Sequence, residues 1–303
     1  MAGETPTPAI TSPGNQRIVE ARKLRHRKYR QAAALFLVEG LQLLHMALDS
    51  GAVAAEVFYC QEQFAGSEAA ALLGRFGQVG ADLISVSPRV MATLSEREEP
   101  QGIAATFHIP AASLTSLELS GHELILVLDR LQDPGNLGTL IRTADAVAAA
   151  AVILVEPCVD PFDPKTVRGS MGSLFNLPII SARDVPGLFA WLKAGGLRPV
   201  GADPHLGETW GAGLWRGGVA LVLGNEARGL SADVAAQVSA WARLPIVGKA
   251  ESLNVAVAGG VLMYAWLREN QISHVTVLEF EGQRVYNGHY ERDVLRGDCH
   301  GAN

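Results

Sequence analysis

Apolar and polar positions along the chain form two successive stretches of short apolar runs alternating with amphipathic segments. In the first, Leu35–Val38, Val53–Cys60, Leu83–Val86 and Ile103–Phe107 predict strands, and Leu41–Asp49, Ser67–Phe76 and Pro88–Leu94 predict helices. The second begins at Glu123. Leu124–Leu128, Val152–Val155, Pro178–Ser181, Pro199–Ala202 and Val219–Leu223 are continuous apolar runs separated by helical segments. Continuous runs suit parallel strands covered on both faces. Arg243–Val247 reads as a further strand and Ser252–Asn270 as a long closing helix. Ile109 to Gly121 has weak periodicity and small polar residues, which marks a linker over 109–122. The pattern therefore predicts an α/β domain over 17–108 and a second α/β domain with a parallel sheet over 123–270. Residues 1–16, rich in Thr, Pro and Gly, are expected to be disordered. The tail 271–303 is polar apart from His274–Phe280, and no role is assigned to it.

Composition agrees with two domains. The chain has 303 residues, and its 48% hydrophobic content excludes wholesale disorder. Cys60, Cys158 and Cys299 lie far apart without metal-ligand spacing, which fits a reducing cytoplasm and gives no metal site. The longest uncharged apolar-rich run, Ser252 to Leu267, has 16 residues and is short of a membrane span. No basic start followed by an apolar run opens the chain, so a soluble cytoplasmic protein is expected.

Net charge changes the picture only once it is located. The total of −6 argues against a strongly basic nucleic-acid binder. Yet residues 17–30 carry seven basic groups against Glu20 alone, so this segment is +6 and the remainder −12. No glycine or proline interrupts it, and it reads as one basic helix suited to a polyanion, with a merely solvated face as the alternative.

Three polar clusters stand at predicted strand ends, where α/β sheets bind ligands. The first runs from Asp129 through Pro134-Gly135-Asn136-Leu137-Gly138 to Arg142. A capping role explains Asn136 but leaves an arginine among Leu140, Ile141 and Ala144 unexplained. The second is Leu223-Gly224-Asn225-Glu226-Ala227-Arg228-Gly229-Leu230. The third runs from Leu244-Pro245-Ile246 through Gly248-Lys249 to Ser252-Leu253-Asn254-Val255, with Ser252 as the expected helix N-cap. No GxGxxG after a strand, no HExxH and no GxSxG is present, which disfavours a dinucleotide-dependent dehydrogenase, a zinc enzyme and an α/β-hydrolase.

In this order and combination, Asn136-Leu137-Gly138 with Arg142, Gly224-Asn225-Glu226 with Gly229-Leu230, and Ile246 with Ser252-Leu253-Asn254-Val255 resemble the SpoU (TrmH) family of RNA 2′-O-ribose methyltransferases, within the SPOUT superfamily. Phe36-Leu37-Val38-Glu39-Gly40 and Pro100-Gln101-Gly102-Ile103 resemble the family's ribosomal-protein-like substrate-binding domain. The tail beyond Gln271 departs from the family core. The resemblance implies S-adenosyl-L-methionine as cofactor, a deep C-terminal trefoil knot, a homodimer, and RNA as substrate. The front domain favours 23S rRNA. The alternatives are a tRNA 2′-O-methyltransferase and a non-catalytic RNA-binding protein of the same fold. Leu223, Gly224, Asn225, Glu226, Ile246, Ser252 and Leu253 would hold the cofactor. The family gives the central catalytic task to the residue matching Arg142. A guanidinium stays charged, so the role implied here is to orient the ribose hydroxyl and stabilise the emerging alkoxide, a nearby phosphate taking the proton. Asn136 and Asn254 would fix Arg142 and the loops, Glu226 would fix the pocket, and Ser252 completes the expected catalytic set. Arg22, Lys23, Arg25, Arg27 and Lys28 of the basic segment, with Lys165 and Arg168, are the expected RNA contacts.

Overall fold

The computed structural model describes residues 9–211 and 213–270. The tail 271–303, with its strand-like run and Cys299, lies outside the described residues, as do residues 1–8.

The front domain opens with α1 (Gln16–Lys23) and α2 (Arg27–Ala33). There follow β1 (Leu35–Glu39), α3 (Leu41–Asp49), β2 (Ala54–Tyr59), α4 (Glu68–Gln78), β3 (Asp82–Ser85), α5 (Pro88–Leu94) and β4 (Ile103–His108). Its sheet has the order β1-β4-β2-β3, with β4 antiparallel to both neighbours and β2 parallel to β3. The second domain contains β5 (Leu124–Asp129), α6 (Pro134–Ala146), β6 (Ala151–Val155), α7 (Pro164–Gly169), β7 (Ile179–Ala182), α8 (Val185–Ala194) and β8 (Arg198–Ala202). The short β9 (Glu208–Thr209), β10 (Val219–Leu223), α9 (Ala232–Ala235), β11 (Ala240–Arg243) and α10 (Val255–Asn270) complete it. The seven strands lie in the order β7-β6-β5-β10-β8-β11-β9, with every pairing parallel.

The continuous apolar runs have a simple reason. Successive strand residues point to opposite faces, and here both faces are covered. Leu124, Leu126 and Leu128 join Val219, Leu221 and Leu223 beneath α6 and α10. Ile125, Val127, Ala220 and Val222 form a separate cluster with Leu188, Phe189 and Leu192 of α8. The first cluster continues into the front domain through Phe36, Val38 and Phe107. The rings of Phe36 and Phe162 stand 4.8 Å apart, and those of Phe107 and Phe175 5.2 Å.

Four sequence expectations are corrected. The basic segment is two helices, not one, broken at Leu24–His26. Arg30, only 1% exposed, folds back and donates to the carbonyls of Leu24 and Arg25, taking over acceptors that a continuing helix would satisfy. Residues 9–15, expected to be disordered, are placed: Ile10 bridges to Val86 and the Asn15 side chain caps α1. The strand expected at Arg243–Val247 is Ala240–Arg243 instead. Pro245 has no N–H for a ladder, and Val247 is fully exposed beyond it. The N-cap of α10 is Asn254 rather than Ser252, its Oδ1 accepting from the amides of Ala256 and Val257 at 2.9 and 3.3 Å.

Candidate active site

The three clusters meet at the C-terminal ends of β5 and β10, where the chain order reverses in the sheet. Asn136, in the first turn of α6, donates from Nδ2 to Glu226 Oε1 at 3.0 Å. Asn254 donates from Nδ2 to Asn136 Oδ1, also at 3.0 Å. One residue of each cluster thus joins a single hydrogen-bonded line spanning 118 residues of sequence. Asn136 is aimed by its own helix cap. Asp133 Oδ1 accepts the Asn136 amide at 2.8 Å, and Lys165 Nζ approaches Oδ2 at 3.4 Å. These bonds hold the Asp133 carboxyl below the usual carboxylate range, the amide of Asn136 contributing most.

The loop after β10 is held from two sides. Asn225 donates to the carbonyl of Arg130 at 2.9 Å, and its Oδ1 accepts from the amides of Ala227 and Arg228. The buried Asp129, at the end of β5, accepts the Ser231 amide at 2.6 Å. Gly224 has no room for a side chain, since a Cβ there would lie 2.3 Å from the carbonyl carbon of Gly229.

This loop walls a cavity of about 570 Å3. Leu223, Gly224, Asn225, Glu226, Ile246, Ser252 and Leu253 all line it, as does Asn254. Its far rim consists of Asp203, Pro204 and His205 after β8, with Ala242 of β11 and Leu244 just beyond that strand. Apart from Leu244, which belongs to the third cluster, those rim residues were missed in the sequence, although the rule that ligands bind beyond strand ends applies equally to β8. The brace formed by Asp129 and Ser231 was missed as well, because a single aspartate ending a strand gives no sign of its partner.

Arg142 is hydrogen-bonded to neither asparagine. The sequence reading assigns Asn136 and Asn254 to hold it, but they hold each other and Glu226. Six residues along a helix of 3.6 per turn place Arg142 on a different face from Asn136. It is exposed and makes no hydrogen bond or ion pair to another described residue.

The expected RNA-contacting cations divide into two groups. Arg25 donates to the carbonyls of Thr93 and Ser95, and Arg27 to that of Cys158, with Glu156 at 3.6 Å. Arg168 pairs with Glu96, Lys165 with Asp133, and Lys23 with Glu20. Arg22 is exposed without such a partner among the described residues, and Lys28 is exposed over the Tyr29 ring at 4.7 Å. Most of the +6 segment is therefore engaged with the protein itself, and Arg30 alone of its cations is buried. Among the described residues, no group of three His, Cys, Asp or Glu is placed to hold a metal, and no helix is long and apolar enough to cross a membrane.

Comparison with known proteins places this geometry. Residues 123–264 match the SpoU rRNA Methylase family, and residues 15–105 match the MRM3-like substrate binding domain. The 23S rRNA (guanosine(2553)-2′-O)-methyltransferase of Bacillus subtilis (strain 168) is 34% identical over 84% of this chain and 97% of its own length. The 23S rRNA (uridine(2479)-2′-O)-methyltransferase of Streptomyces viridochromogenes is 30% identical over 81% of this chain and 87% of its own. The crystal structure of an AdoMet-bound rRNA methyltransferase from Sinorhizobium meliloti superposes with a TM-score of 0.78 at 32% identity, covering 86% of this chain and 97% of that one.

Proposed function

The chain belongs to the SpoU rRNA Methylase family, and on that basis we propose that it methylates a ribose 2′-hydroxyl of rRNA, in the 23S molecule, using S-adenosylmethionine. The observation that carries this reading is the hydrogen-bonded line Glu226–Asn136–Asn254 beside the 570 Å3 cavity.

The cavity fits the cofactor in size and chemistry. Small-molecule sites typically enclose about 300–1,000 Å3, mostly apolar with a few placed polar groups. Leu223, Leu244, Ile246, Leu253 and Leu262 offer apolar surface, while Asn225, Glu226, Ser252 and Asn254 offer polar groups. Leu223, Gly224, Asn225, Glu226, Ile246, Ser252 and Leu253 would hold S-adenosylmethionine, which when bound supplies an electrophilic methyl group. The Asn136–Glu226 bond ties one wall of the cavity to α6, the helix that carries Arg142. Arg142 orients the ribose hydroxyl and stabilises the negative charge that develops on its oxygen. A substrate phosphate takes the proton.

Arg142→Ala is expected to abolish methyl transfer to unmodified 23S rRNA while leaving cofactor affinity within about twofold, since catalytic charge stabilisation acts on the transition state. Transfer is followed with labelled S-adenosylmethionine and mapped by nuclease digestion and mass spectrometry. A methyl group on a base, or transfer to tRNA alone, would overturn the reading.

The reading includes a homodimer in the cytoplasm. Val257, Val261 and Tyr264 on α10 are 54%, 36% and 53% exposed, at helical spacing on one face. Opposite them, Gly259, Leu262, Met263 and Trp266 are buried against the sheet and α6. A second copy covering the exposed stripe would bury it. Light scattering should return twice the chain mass, and Val261→Arg should return the mass of one chain. A monomeric wild type rejects the dimer. The knot belongs to the same proposal and is supported by β10 lying between β5 and β8 while α10 packs back across α6. An experimental chain trace without threading would remove it.

A further inference from the structure

A second cavity, of about 810 Å3, opens between the two domains and plays no part in the site above. One wall is the bend between α1 and α2 with the start of α2. The other is the β5–α6 loop at Leu131 and Gln132 and the segment from Pro157 to Asp160. Three of its arginines are engaged. Arg25 and Arg27 bond to backbone carbonyls, and Arg30 pairs with Asp160 at 2.7 Å. Three other groups line it without a hydrogen bond or ion pair among the described residues: the Lys28 ammonium, the His26 imidazole and the Gln132 amide, all exposed. Beside them stands the half-buried Tyr29 ring, with Lys28 Nζ 4.7 Å from its centroid and the His26 ring 6.3 Å away at 60°.

The combination is specific. Lys23 Nζ stands over the same ring at 5.6 Å, and a half-exposed aromatic ring with cations beside it is what single-stranded nucleic acid uses, the ring taking a base and a cation a phosphate. Arg25, Arg27 and Arg30 are matched by Glu96, Glu156, Asp160 and Asp163, so among the described residues Lys28 is the lining cation left to meet an anionic group. An acidic protein would use the charge but has no need of the ring. Gln132 immediately precedes Asp133, the cap of the helix that carries Asn136 and Arg142.

We propose that this interdomain cleft is a single-stranded RNA subsite, in which a nucleotide flanking the methylated one stacks its base on Tyr29, sets its phosphate on Lys28 and presents its base edge to Gln132. The proposal rests on RNA being the substrate. It assigns part of the substrate contact to Tyr29 and Gln132 rather than to the engaged arginines.

The test uses the full chain with two probes, a fluorescent single-stranded oligouridylate and an unmodified 23S rRNA transcript. Tyr29→Leu keeps apolar bulk but removes the aromatic face. It should weaken oligonucleotide binding about tenfold, within the range of one base–aromatic stack, and raise KM for rRNA with kcat and cofactor binding unchanged. Tyr29→Phe should bind as wild type. Lys28→Ala should lower the slope of log affinity against log salt by about 0.7, the value for one phosphate on a single strand. Wild-type binding by Tyr29→Leu, or an unchanged slope for Lys28→Ala, would overturn the proposal. So would a polyglutamate peptide that binds tighter than the oligonucleotide. If wild type transferred no methyl group to any RNA while Tyr29-dependent binding remained, the cleft would stand and the methyltransferase reading would fall. Transfer with an unaltered KM in Tyr29→Leu would reject the cleft alone.

Discussion

At the scale of single residues, the site depends on groups whose partners are distant in sequence. Asp133 shows how local chemistry supports a remote contact. Its carboxylate accepts the Asn136 amide and so fixes the turn from which Asn136 reaches Glu226. Because hydrogen bonding holds its carboxyl below the usual range, the contribution is present above the unfolded pKa and is lost as pH falls through the folded one. Asp133→Ala should therefore cost about 1 kcal/mol at neutral pH, the usual worth of an N-cap. The difference from wild type should shrink toward about pH 3, where an unperturbed aspartate is protonated. Urea midpoints at the two pH values measure this, and a pH-independent difference would show that the charge is not what matters. In the sequence, Asn136, Glu226 and Asn254 were legible as polar residues at strand ends. Their bonds to one another were not, because residues 90 and 118 apart meet only through the sheet order.

At the scale of elements, backbone proximity decides more than propensity. Gly138 lets α6 approach α7 so closely that a Cβ would lie 2.7 Å from the Thr166 carbonyl oxygen and 2.8 Å from the Gly169 carbonyl carbon. Backbone cannot rotate away, so Gly138→Ala should destabilise by about 1–3 kcal/mol, the usual cost of overpacking. Gly260→Ala is a contrast within α10, where the new methyl would stand 3.8 Å from Thr143 Cγ2 and meets no such conflict. It should be neutral or slightly stabilising, by up to about 1 kcal/mol from helix propensity. Thermal unfolding of the two variants gives the comparison, and equal losses would refute the packing argument. The sequence marks α3, α5 and β10 at their observed ends because apolar period and flanking breakers agree there. It misplaces β11, because Leu244, Ile246 and Val247 look like strand residues. Pro245 and the cavity take the chain out of the sheet at that point.

At the scale of the whole molecule, the basic segment serves first as a junction. Arg30, buried to 1% exposure, pairs with Asp160 across the domains, and Arg27 reaches Glu156 and Cys158 in the same region. Removing one partner of a buried ion pair leaves a charge uncompensated, so Arg30→Ala should cost about 3–5 kcal/mol in a urea titration. Arg22→Ala, at an exposed position, should stay within about 0.5 kcal/mol. Similar losses in both would mean that the segment is a solvated face. Sequence alone determined most of the strands and helices, α3, α5 and β10 to their ends, and the residue types gathered at the strand ends. Those follow from apolar period and local breakers, which act over a few residues. Only the tertiary structure decided which cations face inward, which asparagine caps α10, and that β10 inserts between β5 and β8. Such choices depend on which surfaces meet, and an arginine carries the same charge in the sequence whether it ends at a phosphate or beside a buried aspartate.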